Sequence, residues 1–129
     1  MKTTTETGRA GEEYTAAFLE KNGYIILERN YKVRGGEIDI IARKDDYIVF
    51  CEVKTRKSQS MTSGADALTI RKKKNIINTA IRYIWENGAD DLQPRYDFAE
   101  AIYKQNQVVK FSYTENAFDA SAADLSKLF

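Results

Sequence analysis

Residues 36–42 read Gly-Glu-Ile-Asp-Ile-Ile-Ala, and residues 48–54 read Ile-Val-Phe-Cys-Glu-Val-Lys. Both stretches are rich in branched apolar residues, and the charged turn around Asp45-Asp46 between them predicts a hairpin. Because side chains alternate faces along a strand, the second stretch is apolar on both faces until Glu52 and Lys54, which share one face at its end. Strands that are apolar on both faces are typical of the centre of a sheet. The two stretches therefore predict a central hairpin that carries charge where burial is costly.

The length of the turn decides which of these charges face each other. A loop of two or of four residues places Asp39 opposite Glu52 and Glu37 opposite Lys54, whereas a three-residue loop would shift the register by one and remove this pairing. Directly opposed carboxylates repel each other. The other face of the hairpin would be purely apolar and consist of Ile38, Ile40, Ala42, Val49, Cys51 and Val53.

A divalent cation would make the opposed carboxylates tolerable. Magnesium prefers oxygen ligands and commonly uses one or two carboxylates together with waters and substrate phosphates. Asp39 and Glu52 suit this role, and the backbone carbonyl of Val53 is a candidate third ligand. Lys54, on the same face, could orient an attacking water or stabilise charge on a phosphate. The set predicts phosphodiester hydrolysis with Mg²⁺ or Mn²⁺.

The alternative interpretation of these charges is a cluster of surface ion pairs. Glu37 would pair with Lys54, and Asp39 would pair with Arg43 or Arg56; structural ion pairs also gather charge in this way. For Glu37 the ion pair is the favoured interpretation. If a metal site is present, Glu37 would contact the residues that bind the metal and not the metal itself.

The composition excludes most other chemistry. The chain of 129 residues has no histidine and one cysteine, so it has no Ser-His-Asp or Cys-His machinery, no histidine-ligated zinc and no internal disulfide. Any catalyst must use carboxylates, lysine, hydroxyls or a metal held by oxygen. Cys51 is predicted to be a small core residue.

Length and hydrophobic content suit one domain over residues 1–129, with residues 1–8 and 119–129 as tails. The N-terminal stretch lacks the pattern of a signal peptide, and no window approaches the roughly 20 apolar residues that span a bilayer. We therefore expect a cytoplasmic protein that does not contact a membrane.

A strongly basic stretch adjoins the charged end of the hairpin, although 20 basic and 19 acidic residues nearly balance in the whole chain. Between residues 54 and 74 one acid, Asp66, accompanies seven basic residues, which are candidates for binding a phosphate backbone: Lys54, Arg56, Lys57, Arg71, Lys72, Lys73 and Lys74. The Ser/Thr-rich residues 58–69 would form a flexible wall of this groove. A solvated helical face is the alternative interpretation of the run 71–74.

The remaining periodicities predict helices over residues 12–19 and 68–86 and strands over residues 24–33, 95–103 and 108–113. A polar tail with a short helical turn near Phe118 would follow. The order α-β-β-β-α-β-β indicates an α/β protein with a mixed sheet flanked by helices.

Together these motifs resemble a known family. The chain combines the two central stretches with Gly-Arg-Ala-Gly-Glu (8–12), Gly-Tyr-Ile-Ile-Leu-Glu-Arg-Asn-Tyr (23–31), Arg95-Tyr96-Asp97 and Asn116-Ala117-Phe118. In this combination it resembles the YraN-like family of endonuclease-like proteins over nearly its whole length. That family is similar to the PD-(D/E)XK nuclease superfamily and to archaeal Holliday-junction resolvases. The resemblance implies a restriction-endonuclease-like fold with an α-β-β-β-α-β core.

The resemblance also implies roles for individual residues. Asp39 takes the place of the motif's aspartate, Glu52 that of its second acid and Lys54 that of its lysine, while isoleucine stands at position 38 where the motif has proline. Glu12 matches the additional N-terminal glutamate of the resolvase-like members, with Glu13 as the alternative if the first helix is phased differently.

The function expected first is that of a Mg²⁺- or Mn²⁺-dependent nuclease on DNA, including branched or otherwise structured DNA. The alternative is a nucleic-acid-binding module of the same fold without hydrolysis, and a third candidate is a scaffold for protein partners. A homodimer would suit resolvase-like action, because two strands must be cut.

Overall fold

The computed structural model describes residues 5–57 and 68–119. In these ranges the predicted order of elements is confirmed: α1 (Glu6–Lys21), β1 (Ile25–Val33), β2 (Gly36–Lys44), β3 (Tyr47–Arg56), α2 (Ile70–Asn87), β4 (Gln93–Lys104) and β5 (Gln107–Phe118).

The five strands form one mixed sheet in the order β1-β2-β3-β4-β5, with β3 at its centre. Strands β3 and β4 are parallel, and the other neighbouring strands are antiparallel. A parallel pair needs a crossover connection, and α2 lies in the connection between β3 and β4. The sheet is therefore mixed because one helix is inserted into an otherwise antiparallel meander.

A helix covers each face of the sheet, and β3 supplies apolar side chains to both interfaces. On one face Ala16 and Leu19 of α1 pack with Val49 and Cys51. On the other face the apolar stripe of α2, which includes Ile77, belongs to the cluster that contains Ile48 and Phe50. Alternate residues of β3 are thus buried on opposite sides, as the double-sided apolar pattern predicts.

The hairpin of β2 and β3 has a two-residue loop, one of the two loop lengths that give the predicted register, since Lys44 pairs with Tyr47. The pairing continues in the predicted register to Ile40 and Cys51, where the ladder ends. The expected direct pairs of Asp39 with Glu52 and of Glu37 with Lys54 lie beyond this end and are not part of the ladder.

Ile38 is the one member of the predicted apolar face that lies on the other side. It joins the cluster under α2, while Ile40 belongs to the cluster under α1. Strict alternation therefore fails at Asp39. This point of β2 is paired with β1 but no longer with β3. The β1 residue between the partners of Ile38 and Ile40 is Asn30, which has a left-handed backbone (φ 53°).

Two predicted boundaries are wrong. α1 begins at Glu6, within the stretch expected as a tail, because the Thr5 hydroxyl accepts a hydrogen bond from Gly8 N at 3.0 Å and caps the helix. The helical turn expected near Phe118 is instead the end of β5. Phe118 pairs with Tyr96 of β4 and stacks on its ring at 5.2 Å between centroids, a contact that local periodicity does not reveal.

A polar network ties β4 and β5 to Tyr24, the residue before β1, whose hydroxyl accepts a hydrogen bond from Arg95. Asp97 is fully buried and accepts hydrogen bonds from the guanidinium of Arg95 (2.8 Å), the Tyr113 hydroxyl (2.6 Å) and Asn116 N (2.9 Å). Burial alone would lower the pKa of Arg95, but hydrogen bonds to Asp97 and Tyr24 raise it. The network is satisfied internally, so it stabilises the fold.

No helix in the described ranges has the length and apolar character needed to cross a membrane.

Candidate active site

A cavity of about 380 Å³ lies where the first turns of α1 and α2 meet the last residues of β3. It brings together four of the charged residues that the sequence singles out, namely Glu12, Glu52, Lys54 and Lys72. The rest of its described lining comprises Thr5, Thr7, Gly8, Val53, Thr55, Leu68, Thr69 and Phe98. The cavity therefore contains two acids and two lysines from three different elements.

Glu12 reaches the cavity because α1 packs very closely on β3. A Cβ atom at Gly11 would lie 1.8 Å from the Thr55 hydroxyl oxygen, so only glycine allows this approach. Glu12 is 2% exposed, whereas Glu13 is exposed to solvent. The helix is thus phased with Glu12 towards the cavity.

Asp39 lies next to the cavity lining and is oriented by the backbone of β3. Its Oδ2 accepts a hydrogen bond from Val53 N at 2.8 Å, and the side chain is buried at 2% exposure. A carboxylate has several acceptor lone pairs, so this bond fixes its orientation and still permits it to bind a cation. The same hydrogen bond fixes the backbone N–H of Val53, and the backbone carbonyl of Val53 is the candidate third ligand.

Glu52 contacts a cation from α2. Lys72 Nζ lies 2.9 Å from Glu52 Oε2, and the lysine side chain is 42% exposed while the glutamate side chain is 9% exposed. The sequence predicts Lys72 as a contact for a nucleic-acid backbone, and its pairing with a candidate metal ligand was not foreseen. The two residues are 20 positions apart, so no local pattern indicates the contact.

Glu100 is a buried acid of β4 that the sequence interpretation missed. It lies opposite Lys54 in the parallel register, is 2% exposed, and accepts a hydrogen bond from Arg56 Nε at 2.8 Å. The sequence does indicate Glu100, because this acid interrupts an apolar strand between Phe98 and Ile102, as Glu52 does in β3. Arg56 is consequently half-buried and paired with an acid, while Lys54 is exposed.

The other candidate phosphate-binding residues are not part of the described cavity lining. Arg71 and Lys57 are exposed, Lys74 is partly exposed, and the Lys73 ammonium lies 5.9 Å from the centroid of the Phe118 ring. Residues 58–67 of the expected groove wall lie outside the described residues.

Both helices begin at this cavity. Thr5 and Thr69, which cap α1 and α2, are in its lining, and each accepts a hydrogen bond from its own helix. The positive ends of two helix dipoles thus point towards the same space, which favours an anion there.

Glu37 lines a second cavity, of about 400 Å³, together with Gly36, Lys72 and Asn75. A Cβ atom at Gly36 would lie 2.1 Å from the Thr79 hydroxyl, so glycine is needed for the close approach of α2 to the start of β2. Lys72 lines both cavities.

The donors suit a cation that keeps water ligands. Within residues 5–57 and 68–119, no three acidic or cysteine side chains lie close enough together to enclose a metal ion by themselves. Magnesium does not require such a cage, since one or two carboxylates with waters and phosphate oxygens are sufficient. Asp39 and Glu52 would supply the carboxylates.

Cys51 lies on the opposite face of β3 and is fully buried. Burial raises the pKa of its thiol, and the nearby charge of Asp97 raises it further. Both effects disfavour the thiolate, so Cys51 is a core residue, as predicted.

Comparisons with known proteins place the chain in a family. The model of the uncharacterised protein family UPF0102 matches residues 11–102, which contain every charged residue of the cavity. The chain is similar to a UPF0102 protein of Dictyoglomus turgidum, with 39% identity over 88% of the chain and 97% of the relative. A UPF0102 protein of Chloroherpeton thalassium is 35% identical over 97% of the chain and 92% of the relative. One of Alkaliphilus metalliredigens is 40% identical over 86% and 96%. Because the family model matches more than half of the chain and these relatives align with most of its length, the chain belongs to the family UPF0102.

Proposed function

We propose that this protein is a Mg²⁺- or Mn²⁺-dependent nuclease that hydrolyses phosphodiester bonds of DNA, including branched or otherwise structured DNA, with a site of the PD-(D/E)XK type. The observation that carries the proposal is the convergence of Glu12, Glu52 and Lys54 on one cavity, with Asp39 hydrogen-bonded to Val53 beside it. Buried acids next to lysines are costly in a purely structural role, and they cluster at functional sites.

Asp39 and Glu52 would hold the metal, and the Val53 carbonyl would add a third oxygen. When bound, Mg²⁺ or Mn²⁺ supplies Lewis-acid activation of water and neutralises charge on the phosphate. The hydrogen bond from Val53 N keeps the Asp39 carboxylate in one orientation before the ion arrives.

Lys54 would contact the phosphate that is attacked. Its exposed side chain follows Glu52 on the same face of β3, so its ammonium can meet a phosphate next to the carboxylates. A compact ammonium stabilises the additional negative charge that develops on the phosphate oxygens.

The surroundings support binding of a polyanion. The first turns of two helices face the cavity, and the basic run from Arg71 to Lys74 forms the start of α2 with no acid in its first turn. Positive charge at a helix N-terminus opposes the helix dipole, and an anionic ligand would offset this cost. Binding is therefore expected to weaken steeply with salt.

The test is cleavage of linear, flapped and four-way DNA in the presence of Mg²⁺ or Mn²⁺. We expect Asp39→Asn, Glu52→Gln and Lys54→Met each to lower the cleavage rate at least about 100-fold, which corresponds to roughly 2.7 kcal/mol. Glu12→Gln and Glu13→Gln form a matched pair, because the adjacent glutamates lose the same charge but only Glu12 lines the cavity.

Each outcome has a distinct meaning. Equal residual cleavage by the wild type and all site variants would assign the activity to a contaminant and contradict the proposal. Salt-dependent DNA binding without metal-dependent cleavage would favour a non-catalytic nucleic-acid-binding module, which the pairing of Glu52 with an internal cation also suits.

A further inference from the structure

Lys72 contacts the carboxylate that the proposed function assigns to a metal. Its Nζ lies 2.9 Å from Glu52 Oε2, and it is a residue of α2 that lines the cavity. An ammonium at this distance forms a charge-assisted hydrogen bond with the carboxylate. A cation of the chain itself thus lies where a metal ion would bind.

The ammonium and a divalent ion cannot share Glu52 without cost. A metal on the same oxygen would collide with the ammonium, and a metal on the other oxygen would put two cations within roughly 5 Å of each other beside a nearly buried carboxylate, where like charges repel strongly. Metal binding therefore requires the Lys72 side chain to move.

The structure provides room for that movement. The backbone of Lys72 is held in the first turn of α2, where its N–H donates to the Thr69 hydroxyl at 3.1 Å, so the change is confined to the side chain. This side chain is partly exposed and also lines the second cavity, whose wall includes the carboxylate of Glu37. A rotation about its side-chain bonds would transfer the ammonium from one cavity towards the other.

We propose that Lys72 occupies the cation position at Glu52 in the metal-free protein, competes with the divalent ion for this carboxylate, and is displaced when the ion binds. The inference rests on the proposed function, because it assumes that Glu52 is a metal ligand. Lys72 would then be a positioning residue that holds Glu52 in place before the metal binds and sets the metal concentration at which the site fills.

The experiment is a Mn²⁺ titration of the full-length chain, with free Mn²⁺ measured by electron paramagnetic resonance. Lys72→Met should bind Mn²⁺ about tenfold more tightly than the wild type, which corresponds to about 1.4 kcal/mol. Lys73→Met is the matched control, because it removes the same charge from the next residue, whose ammonium lies over the Phe118 ring. Lys72→Arg keeps a cation in reach of Glu52 and should leave the affinity near that of the wild type.

Two further variants make the result unambiguous. Lys72→Gln keeps a hydrogen-bond donor for Glu52 and replaces the methionine variant if that protein does not fold, as judged by circular dichroism. Adding Glu52→Gln to Lys72→Met should abolish the gain in affinity, since the competition takes place at that carboxylate.

The inference is overturned if the uncharged Lys72 variant binds Mn²⁺ no more tightly than Lys73→Met, including the case in which neither binds. Its failure can be distinguished from failure of the nuclease proposal. Tighter Mn²⁺ binding without DNA cleavage would support the competition and contradict the nuclease; cleavage without the gain in affinity would support the nuclease and contradict the competition.

Discussion

Gly11→Ala tests whether close packing of α1 on β3 positions the site. The added Cβ would lie 1.8 Å from Thr55 Oγ1, while ordinary contacts begin at 3.4 Å, so a shortfall of about 1.6 Å must be taken up by the Thr55 side chain and by separation of helix and strand. Rotation of Thr55 would not remove the clash completely, because rotation leaves its Cβ in place at 3.0 Å from the added atom. Overpacking of this kind costs about 1–3 kcal/mol.

The assay is thermal unfolding followed by circular dichroism, with Gly8→Ala as the matched control. At about 4 °C per kcal/mol for a chain of this size, Gly11→Ala should lower the Tm by roughly 4–12 °C. Gly8 lies in the same helix, and its added Cβ would be 3.4 Å from the nearest atom, the Thr5 hydroxyl oxygen. Replacing a helical glycine with alanine normally stabilises by about 0.5–1 kcal/mol, so Gly8→Ala should leave the Tm unchanged or raise it.

Combining Gly11→Ala with Thr55→Ala identifies the cause. Thr55 Oγ1 is buried and has no hydrogen-bond partner among the described residues, so its removal sacrifices no such bond and should restore part of the stability. Because Glu12 follows Gly11, a shift of α1 by more than 1 Å should also lower any metal-dependent cleavage by about 100-fold. The reasoning would be refuted if Gly11→Ala were as stable as Gly8→Ala.

Three further predictions concern the core. Asp97→Asn removes the fully buried carboxylate partner of Arg95, whose other carboxylate contact, Glu115, is exposed. The substitution should lower the free energy of unfolding in urea by about 3–5 kcal/mol, and a loss below about 1 kcal/mol would contradict a buried ion pair. Burial raises the pKa of Tyr96 from 10.0 to about 12, so the unfolded chain loses the phenolic proton at lower pH than the folded chain. The free energy of unfolding should therefore fall by about 3 kcal/mol between about pH 10 and pH 12. Tyr96→Phe should flatten that part of the alkaline unfolding curve, and an unchanged curve would argue against the pKa shift. The Cys51 thiol should react with Ellman's reagent at pH 8 only after unfolding, and rapid labelling of the folded protein would show that it is accessible.

Much of the fold was predictable because it depends on short-range patterns. The two-residue turn at Asp45-Asp46 determines the hairpin register, and alternation along β3 determines which residues face α1 and α2. Charges at positions 39, 52 and 54 interrupt apolar strands, and such interruptions indicate a candidate site from the order of residues alone. The same criterion applied to β4 would have identified Glu100.

The predictions from sequence were wrong where contacts between distant segments overrode local patterns. Ile38 packs under α2 because β2 continues past the end of its ladder with β3, and alternation along one strand carries no information about that end. The first turn of α1 is polar and therefore lacks the apolar period, yet Thr5 caps it.

The sequence by itself determined the order of the elements, the central hairpin and the identity of the acids and lysine of the candidate site, because turn length, alternation and misplaced charge are local properties. Only the tertiary structure decided that Glu12 enters the cavity, that Asp39 binds the backbone of Val53 and that Lys72 pairs with Glu52. These contacts join residues from different elements, and their distances depend on how closely the helices pack on the sheet. The distance between α1 and β3 depends on single residues such as Gly11, because its lack of a Cβ atom lets the helix approach Thr55.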